Sequence, residues 1–161
     1  MTDAVLTAID ELRTAFPLHP LDVQSAFAEW GVTYTDGATF KAEAQGRRWD
    51  ELSPRFLEFH HDAVLFLGPA AISDLIPAYL AAALRRDREL GMLPAFLISA
   101  LTRGIDNNSE RFDAQFGRLA PAQRQAITHA LEAWEGSLES SDHRRPITEA
   151  LKSYWRTTRS G

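Results

Sequence analysis

Two pairs of side chains have the spacing that metal ligands use on a helix. Glu58 lies three positions before His61, which Asp62 follows, and His129 lies three positions before Glu132. Side chains at i and i+3 point the same way, and carboxylate-bridged helical bundles take Glu-x-x-His pairs from facing helices. These two pairs define one hypothesis, a helical protein that handles a metal or a small molecule.

A plainer interpretation of these pairs is two solvated charged faces. A complete di-metal site also needs glutamates that project inward from other helices, and none is obvious on an apolar face of this sequence. Short motif matches are often fortuitous. We therefore predict no bound metal and no cofactor, and we predict that the adjacent His60 is a hydrogen-bonded core histidine.

Catalytic motifs are missing from the sequence. It has no nucleophile elbow G-x-S-x-G, no P-loop, no G-x-G-x-x-G and no H-E-x-x-H. We assign no catalytic residue and do not expect an enzyme.

Acidic residues are concentrated at the start of the chain. Residues 1–36 carry six acidic side chains and one basic one, whereas residues 142–161 carry a net charge of +3. An apolar stripe at i, i+4, i+7 and i+11 of the first helix would turn inward and leave the carboxylates outside. We predict that this acidic face binds a basic protein partner, using Asp3, Asp10, Glu11, Asp22 and Glu29.

The composition is that of one globular domain over residues 1–161. The chain is 45% hydrophobic and 24% charged, and it contains no cysteine that could form a disulfide or bind a metal. A net charge of −5 argues against a nucleic-acid binder, because phosphate neutralisation needs a basic surface. The first residues lack the basic and continuous apolar regions of a secretory signal, so we expect a cytoplasmic protein.

The block from residue 63 to 84 is the expected core, since apolar residues dominate each of its turns. Gly68, Pro69, Asp74 and Pro77 interrupt it, which argues against a membrane span. Because proline removes a backbone donor, we predict a break near residue 75. The central helices are then expected at 54–67, 69–75 and 77–88.

Further helices are expected on both sides of this block. Periodicity and capping residues predict a first helix that ends at Pro17, a shorter one between Pro20 and Gly31, and helices that start near Pro121 and Pro146. Residues 32–46 permit a strand or a short helix, and we favour the helix. The fold class is therefore all-α, a compact single-domain bundle of about six to eight helices.

The order of several core residues resembles a family of small bacterial helical proteins of unknown function. The matching residues are Trp49-x-x-Leu52, Phe66-Leu67-x-Pro69-x-Ala71 and Leu75-Ile76-Pro77-Ala78-Tyr79-Leu80. The chain has isoleucine where leucine often precedes the proline, a change within core tolerance. The resemblance implies a compact helical domain and supplies no catalytic residues.

Two functional hypotheses follow from the sequence. The first is a cytoplasmic, non-enzymatic protein-interaction module, in its most specific form an immunity-type protein that binds a toxin or nuclease through the acidic face. The alternative is the metal- or small-molecule-handling protein built on Glu58, His61, His129 and Glu132.

Overall fold

In the computed structural model, residues 1–27, 33–86, 89–137 and 142–156 can be described, and 67% of them are helical, with no strand among them. The all-α prediction is confirmed. The α-helices of this part of the chain are α1 (Asp3–Ala15), α2 (Gly37–Ala44), α3 (Pro54–Phe59), α4 (Pro69–Arg86), α5 (Leu93–Ala100), α6 (Ser109–Phe116), α7 (Pro121–Glu135) and α8 (Arg144–Ala150). Short 3₁₀ turns at 49–51, 63–65 and 105–107 and a π turn at 151–155 connect or extend them.

Helix α4 lies at the centre and packs against α1, α3, α5, α6 and α7. The predicted break at Pro77 is wrong, because α4 runs unbroken from Pro69 to Arg86 with Pro77 inside it. An interior proline costs a helix about 3 kcal/mol. Here both sides of the proline are buried, since the side chains at 75–76 and 78–84 are at most 6% exposed. Burial of so much apolar surface outweighs the local penalty.

The predicted helix at 54–67 is shorter than expected. Ser53 caps α3, with its Oγ accepting a hydrogen bond from Phe56 N at 3.1 Å, but the helix ends at Phe59. The His60 carbonyl then accepts hydrogen bonds from Tyr79 Oη (2.8 Å) and from the Ala63 amide (3.1 Å). These bonds turn the chain into the 3₁₀ turn at 63–65 instead of continuing the helix.

Helices α1 and α7 form the most extensive helix pair of the described chain. The predicted stripe of α1 turns inward, with Val5, Ile9, Leu12 and Phe16 each at most 2% exposed. The buried apolar side chains of the described residues form one continuous cluster. Within the predicted core block, Leu67 and Leu80 are fully buried, whereas Phe66 is only half-buried, at the edge of the cluster, where its ring stacks on Tyr34 with centroids 5.9 Å apart.

The segment before α2 is held by hydrogen bonds rather than by a regular helix. Residues 24–27 form a turn, the Val23 amide donates to Gln45 Oε1 at 2.8 Å, and the Gly68 amide donates to the Ala26 carbonyl at 2.9 Å. The helix expected between Pro20 and Gly31 is therefore absent from residues 21–27, and its remaining part lies outside the described residues. The short helix favoured for 32–46 is confirmed as α2.

No helix of the described chain is both long enough and apolar enough to cross a membrane.

Candidate functional site

The carboxylates predicted to bind a partner lie on and near α1. Asp3 and Asp10 are exposed on the side of the helix opposite the buried stripe. Asp10 pairs with Arg13 at 3.3 Å, an exposed ion pair that contributes little to stability. Asp22 is exposed beyond the helix, where its carboxylate accepts a hydrogen bond from the Gln24 amide at 3.3 Å. Glu29 lies outside the described residues.

Glu11 faces α7 rather than open solvent. Its Oε2 lies 2.5 Å from Nδ1 of His129, and both side chains are partly exposed. This contact joins one residue of the predicted acidic face to one residue of the predicted metal pairs. The pair connects positions 118 residues apart, which helical periodicity alone does not indicate.

The Glu11–His129 pair opens onto a groove between α1 and α7. The groove encloses about 460 Å³, and Thr7, Asp10, Thr14 and Gln125 also line it. Three alanines, Ala15 of α1 and Ala122 and Ala126 of α7, complete its lining. The groove thus combines a negative wall from α1 with hydrogen-bonding groups from both helices.

Glu132 is held by the C-terminal segment of the described chain. Its Oε1 lies 3.8 Å from Arg156 Nε, and Glu135 on the next turn accepts a hydrogen bond from Arg156 Nη2 at 3.0 Å. Thr148 Oγ1 donates to the other Glu135 oxygen at 2.5 Å. These contacts tie α8 and the π turn to α7, so both glutamates have a structural role here.

The other predicted pair, Glu58 and His61, also makes local contacts. His61 Nδ1 lies 2.9 Å from the Glu58 carbonyl oxygen, so it donates to the backbone, and the imidazole packs edge-on against Phe96 with centroids 4.7 Å apart. Among the residues that the structure describes, no group of three or more His, Asp or Glu side chains is placed to hold a metal ion. The structure therefore does not assemble the four residues of the metal hypothesis into one cluster.

A buried polar chain lies on the other side of α3. His60 Nδ1 lies 2.7 Å from Tyr34 Oη, and Tyr34 Oη donates to Asp62 Oδ1 at 3.3 Å. His60 is 1% exposed and Tyr34 is 6% exposed. The prediction of a hydrogen-bonded core histidine is confirmed.

Burial sets the protonation states of His60 and Tyr34 in this hydrogen-bonded chain. Desolvation lowers the pKa of His60, against the opposing effect of Asp36, Glu43 and Asp62, so the imidazole is neutral near pH 7. Desolvation, followed by the Asp62 charge, raises the pKa of Tyr34, so its hydroxyl keeps its proton. A neutral histidine, a protonated tyrosine and a carboxylate form a defined donor–acceptor chain.

The hydrogen-bonded chain of Tyr34, His60 and Asp62 was not predicted from the sequence as a candidate site. Tyr34 lies 26 residues before His60, in a segment for which strand and helix were both considered. In the sequence, only the placement of His60 among apolar residues pointed to these bonds. Such a placement indicates a buried hydrogen bond but does not identify the partner.

Comparison with known proteins gives one match. A family model described as "Family of unknown function (DUF6714)" matches residues 21–159. No curated protein and no solved structure matches this chain. The match supports the resemblance to a family of unknown function, but it does not test the core motif by which the resemblance was noticed.

Proposed function

Because the chain belongs to the DUF6714 family, whose function is unknown, its role has to be argued from its own residues, and we propose that it is a non-enzymatic protein-interaction module. The partner is a basic protein, and the binding surface is the acidic side of α1 together with the α1–α7 groove. The observation that carries the proposal is that Asp10 and Glu11 both open onto this groove.

The charges of this surface favour a lysine- or arginine-rich partner. Asp3 and Asp10 are exposed and Glu11 is partly exposed, so their field extends into solvent. A positive patch on a partner would be steered to them, and complementary charge raises association rates more than it raises affinity. An arriving basic side chain would also compete with His129 for the Glu11 carboxylate.

The most specific form of this proposal is an immunity-type protein that acts in the cytoplasm. Nucleases and many toxins present basic surfaces, because they bind phosphates. An acidic surface that covers such a region would block it without any catalysis by the inhibitor. Asp22 and Glu29 would extend the contact if they continue the acidic face beyond α1.

The experiment compares capture of partners from an extract of the producing cells by three forms of the protein. One variant carries Asp3→Lys and Asp10→Lys on the acidic face. The matched control carries Glu110→Lys on α6 and Glu149→Lys on α8, two exposed acids with the same change in net charge. Circular dichroism establishes that all three forms fold.

We expect a specific protein to be captured by the wild type and the control but lost by the α1 variant. With that partner purified, the association rate should fall about tenfold or more in the α1 variant. It should also fall as ionic strength rises towards 0.15 M, where the Debye length is about 8 Å. Equal capture by the α1 variant and the wild type would refute the acidic face as the binding surface.

The contacts of His61, His129 and Glu132 described above give the metal-handling hypothesis no support.

A further inference from the structure

A cavity between α2 and α3 lies next to the Tyr34–His60–Asp62 chain. It encloses about 410 Å³, within the range of small-molecule sites. Helix α2 contributes Thr39 and Glu43 to its lining, and α3 and its flanking residues contribute Ser53, Arg55, Phe56, Phe59 and His60. This cavity is separate from the α1–α7 groove and from every residue of the proposed partner surface.

His60 lines this cavity, and Nε2 of its imidazole makes none of the hydrogen bonds described above. Nδ1 is bonded to Tyr34, and the carbonyl of the same residue is bonded to Tyr79. Nε2 makes no hydrogen bond with any described residue, yet it is not among the described polar atoms that are sealed from solvent without a partner. A side chain that is 99% buried therefore keeps one accessible polar atom, on a residue that lines the cavity.

The direction of the hydrogen bonds determines what Nε2 can do. An ionised Asp62 only accepts, so the Tyr34 hydroxyl must donate its single proton to the carboxylate. The short contact between Tyr34 Oη and His60 is then made by an Nδ1–H donor on the imidazole. In this tautomer Nε2 carries a lone pair, and the group that it would bind from the cavity is a hydrogen-bond donor.

The charged side chains and aromatic rings near His60 indicate which class of hydrogen-bond donor the cavity favours. Asp36, Glu43 and Asp62 each act on the charge of His60, and all three are negative. Glu43 also lines the cavity, as do the rings of Phe56 and Phe59, and the Phe59 side chain is 58% exposed. A cation is favoured by the acids and by aromatic faces.

We propose that this cavity binds a primary ammonium group carried on a small apolar or aromatic body. The ammonium donates a hydrogen bond to His60 Nε2, and Glu43 balances its charge. The apolar body packs on Phe56 and Phe59. Arg55 also lines the cavity and would attract an anion, but an anion placed at His60 would meet a lone pair and three negative side chains.

The test titrates the full-length protein with three probes that share one aromatic body: 2-phenylethylamine, 2-phenylethanol and 3-phenylpropanoate. Binding is measured by calorimetry, and its location by NMR shifts of the His60 and Phe59 ring signals. We expect the amine to bind about tenfold more tightly than the carboxylate. The alcohol, a donor without charge, should fall between them.

Variants separate this site from general charge attraction. Glu43→Gln removes an exposed charge from the cavity and should weaken amine binding about two- to fivefold, the range of a partly exposed ion pair. Glu110→Gln on α6 makes the same change elsewhere and should leave binding unaltered. His60→Leu, checked for folding by circular dichroism, should weaken the binding of both amine and alcohol, because each donates its hydrogen bond to Nε2.

Three results would overturn the proposal. They are tighter binding of the carboxylate, equal loss of affinity in the Glu43 and Glu110 variants, and ring shifts that occur away from His60 and Phe59. Absence of saturable amine binding at millimolar concentration would also overturn it.

Discussion

Removing the Tyr34 hydroxyl should destabilise the protein by about 2 kcal/mol. Tyr34→Phe keeps the ring and its contacts with Phe27, Phe40 and Phe66, with centroids 4.9–6.5 Å apart, and deletes only the oxygen that joins His60 to Asp62. The size of this destabilisation follows from the hydrogen bonds that His60 and Asp62 each lose.

The two partners lose different amounts. His60 is 1% exposed, so its Nδ1–H would have no solvent to replace the bond, and an unsatisfied buried donor costs about 1–3 kcal/mol. Asp62 is half-buried and would recover a bond to water, which leaves a loss of about 0.5 kcal/mol. For a domain of this size, a total of about 2 kcal/mol lowers Tm by about 4–8 °C.

The assay is urea unfolding of wild type, Tyr34→Phe, His60→Leu and the double variant. If the hydroxyl acts through His60, its removal should cost much less in the His60→Leu background, because no buried imidazole is left unpaired there. The coupling between the two substitutions should exceed 0.5 kcal/mol, as expected for residues in direct contact. A loss below 0.5 kcal/mol for Tyr34→Phe alone, or equal losses in both backgrounds, would refute the reasoning.

Three further predictions concern the core, the pH dependence and metals. Leu80→Ala in α4 should cost about 2–5 kcal/mol in urea unfolding, because Leu80 is fully buried and its truncation leaves a cavity; a loss below 1 kcal/mol would contradict this. Burial lowers the pKa of His60 below 6.5, so the unfolded chain takes up the proton first as the pH falls. The stability of the fold should therefore decrease as the pH drops below 6.5, by up to about 1.4 kcal/mol per pH unit, and less steeply in His60→Leu. Elemental analysis of protein purified without added metal should find no stoichiometric zinc, iron or manganese, and a metal that is lost on Glu58→Ala or His129→Ala would reverse our ranking of the two hypotheses.

Local sequence patterns predicted those features that depend on neighbouring residues. The spacing of Val5, Ile9, Leu12 and Phe16 predicted the buried face of α1, since side chains one or two turns apart share a side of the helix. Ser53 before a proline correctly marked the start of α3, because a cap depends only on the first turn.

Features that depend on tertiary context were predicted less well. Pro77 is a helix breaker by local propensity, but the burial of α4 on all sides offsets that propensity. The end of α3 depends on a bond from Tyr79 to the His60 carbonyl, between residues 19 positions apart. Periodicity contains no information about such bonds.

The candidate sites also combine features that local sequence patterns predict with features that depend on tertiary contacts. That Asp3 and Asp10 are exposed could be expected from the position of the apolar stripe, whereas their binding role remains a prediction. The Glu11–His129 pair joins residues from two rival hypotheses, and only the crossing of α1 and α7 brings them together.

The contacts of His60 also explain how a small cavity could discriminate between ligands. Its ring is held by Tyr34, its carbonyl by Tyr79 of α4, and its faces by the rings of Phe40, Phe56 and Phe59 at 4.7–5.1 Å between centroids. Rotating the imidazole would break the bond to Tyr34, so the Nε2 lone pair keeps a fixed direction. A binding group that is fixed before the ligand arrives loses little conformational entropy on binding. For this reason Tyr34→Phe, which removes the bond that holds the ring without touching the cavity lining near Glu43, should weaken the binding of both amine and alcohol as well as the fold.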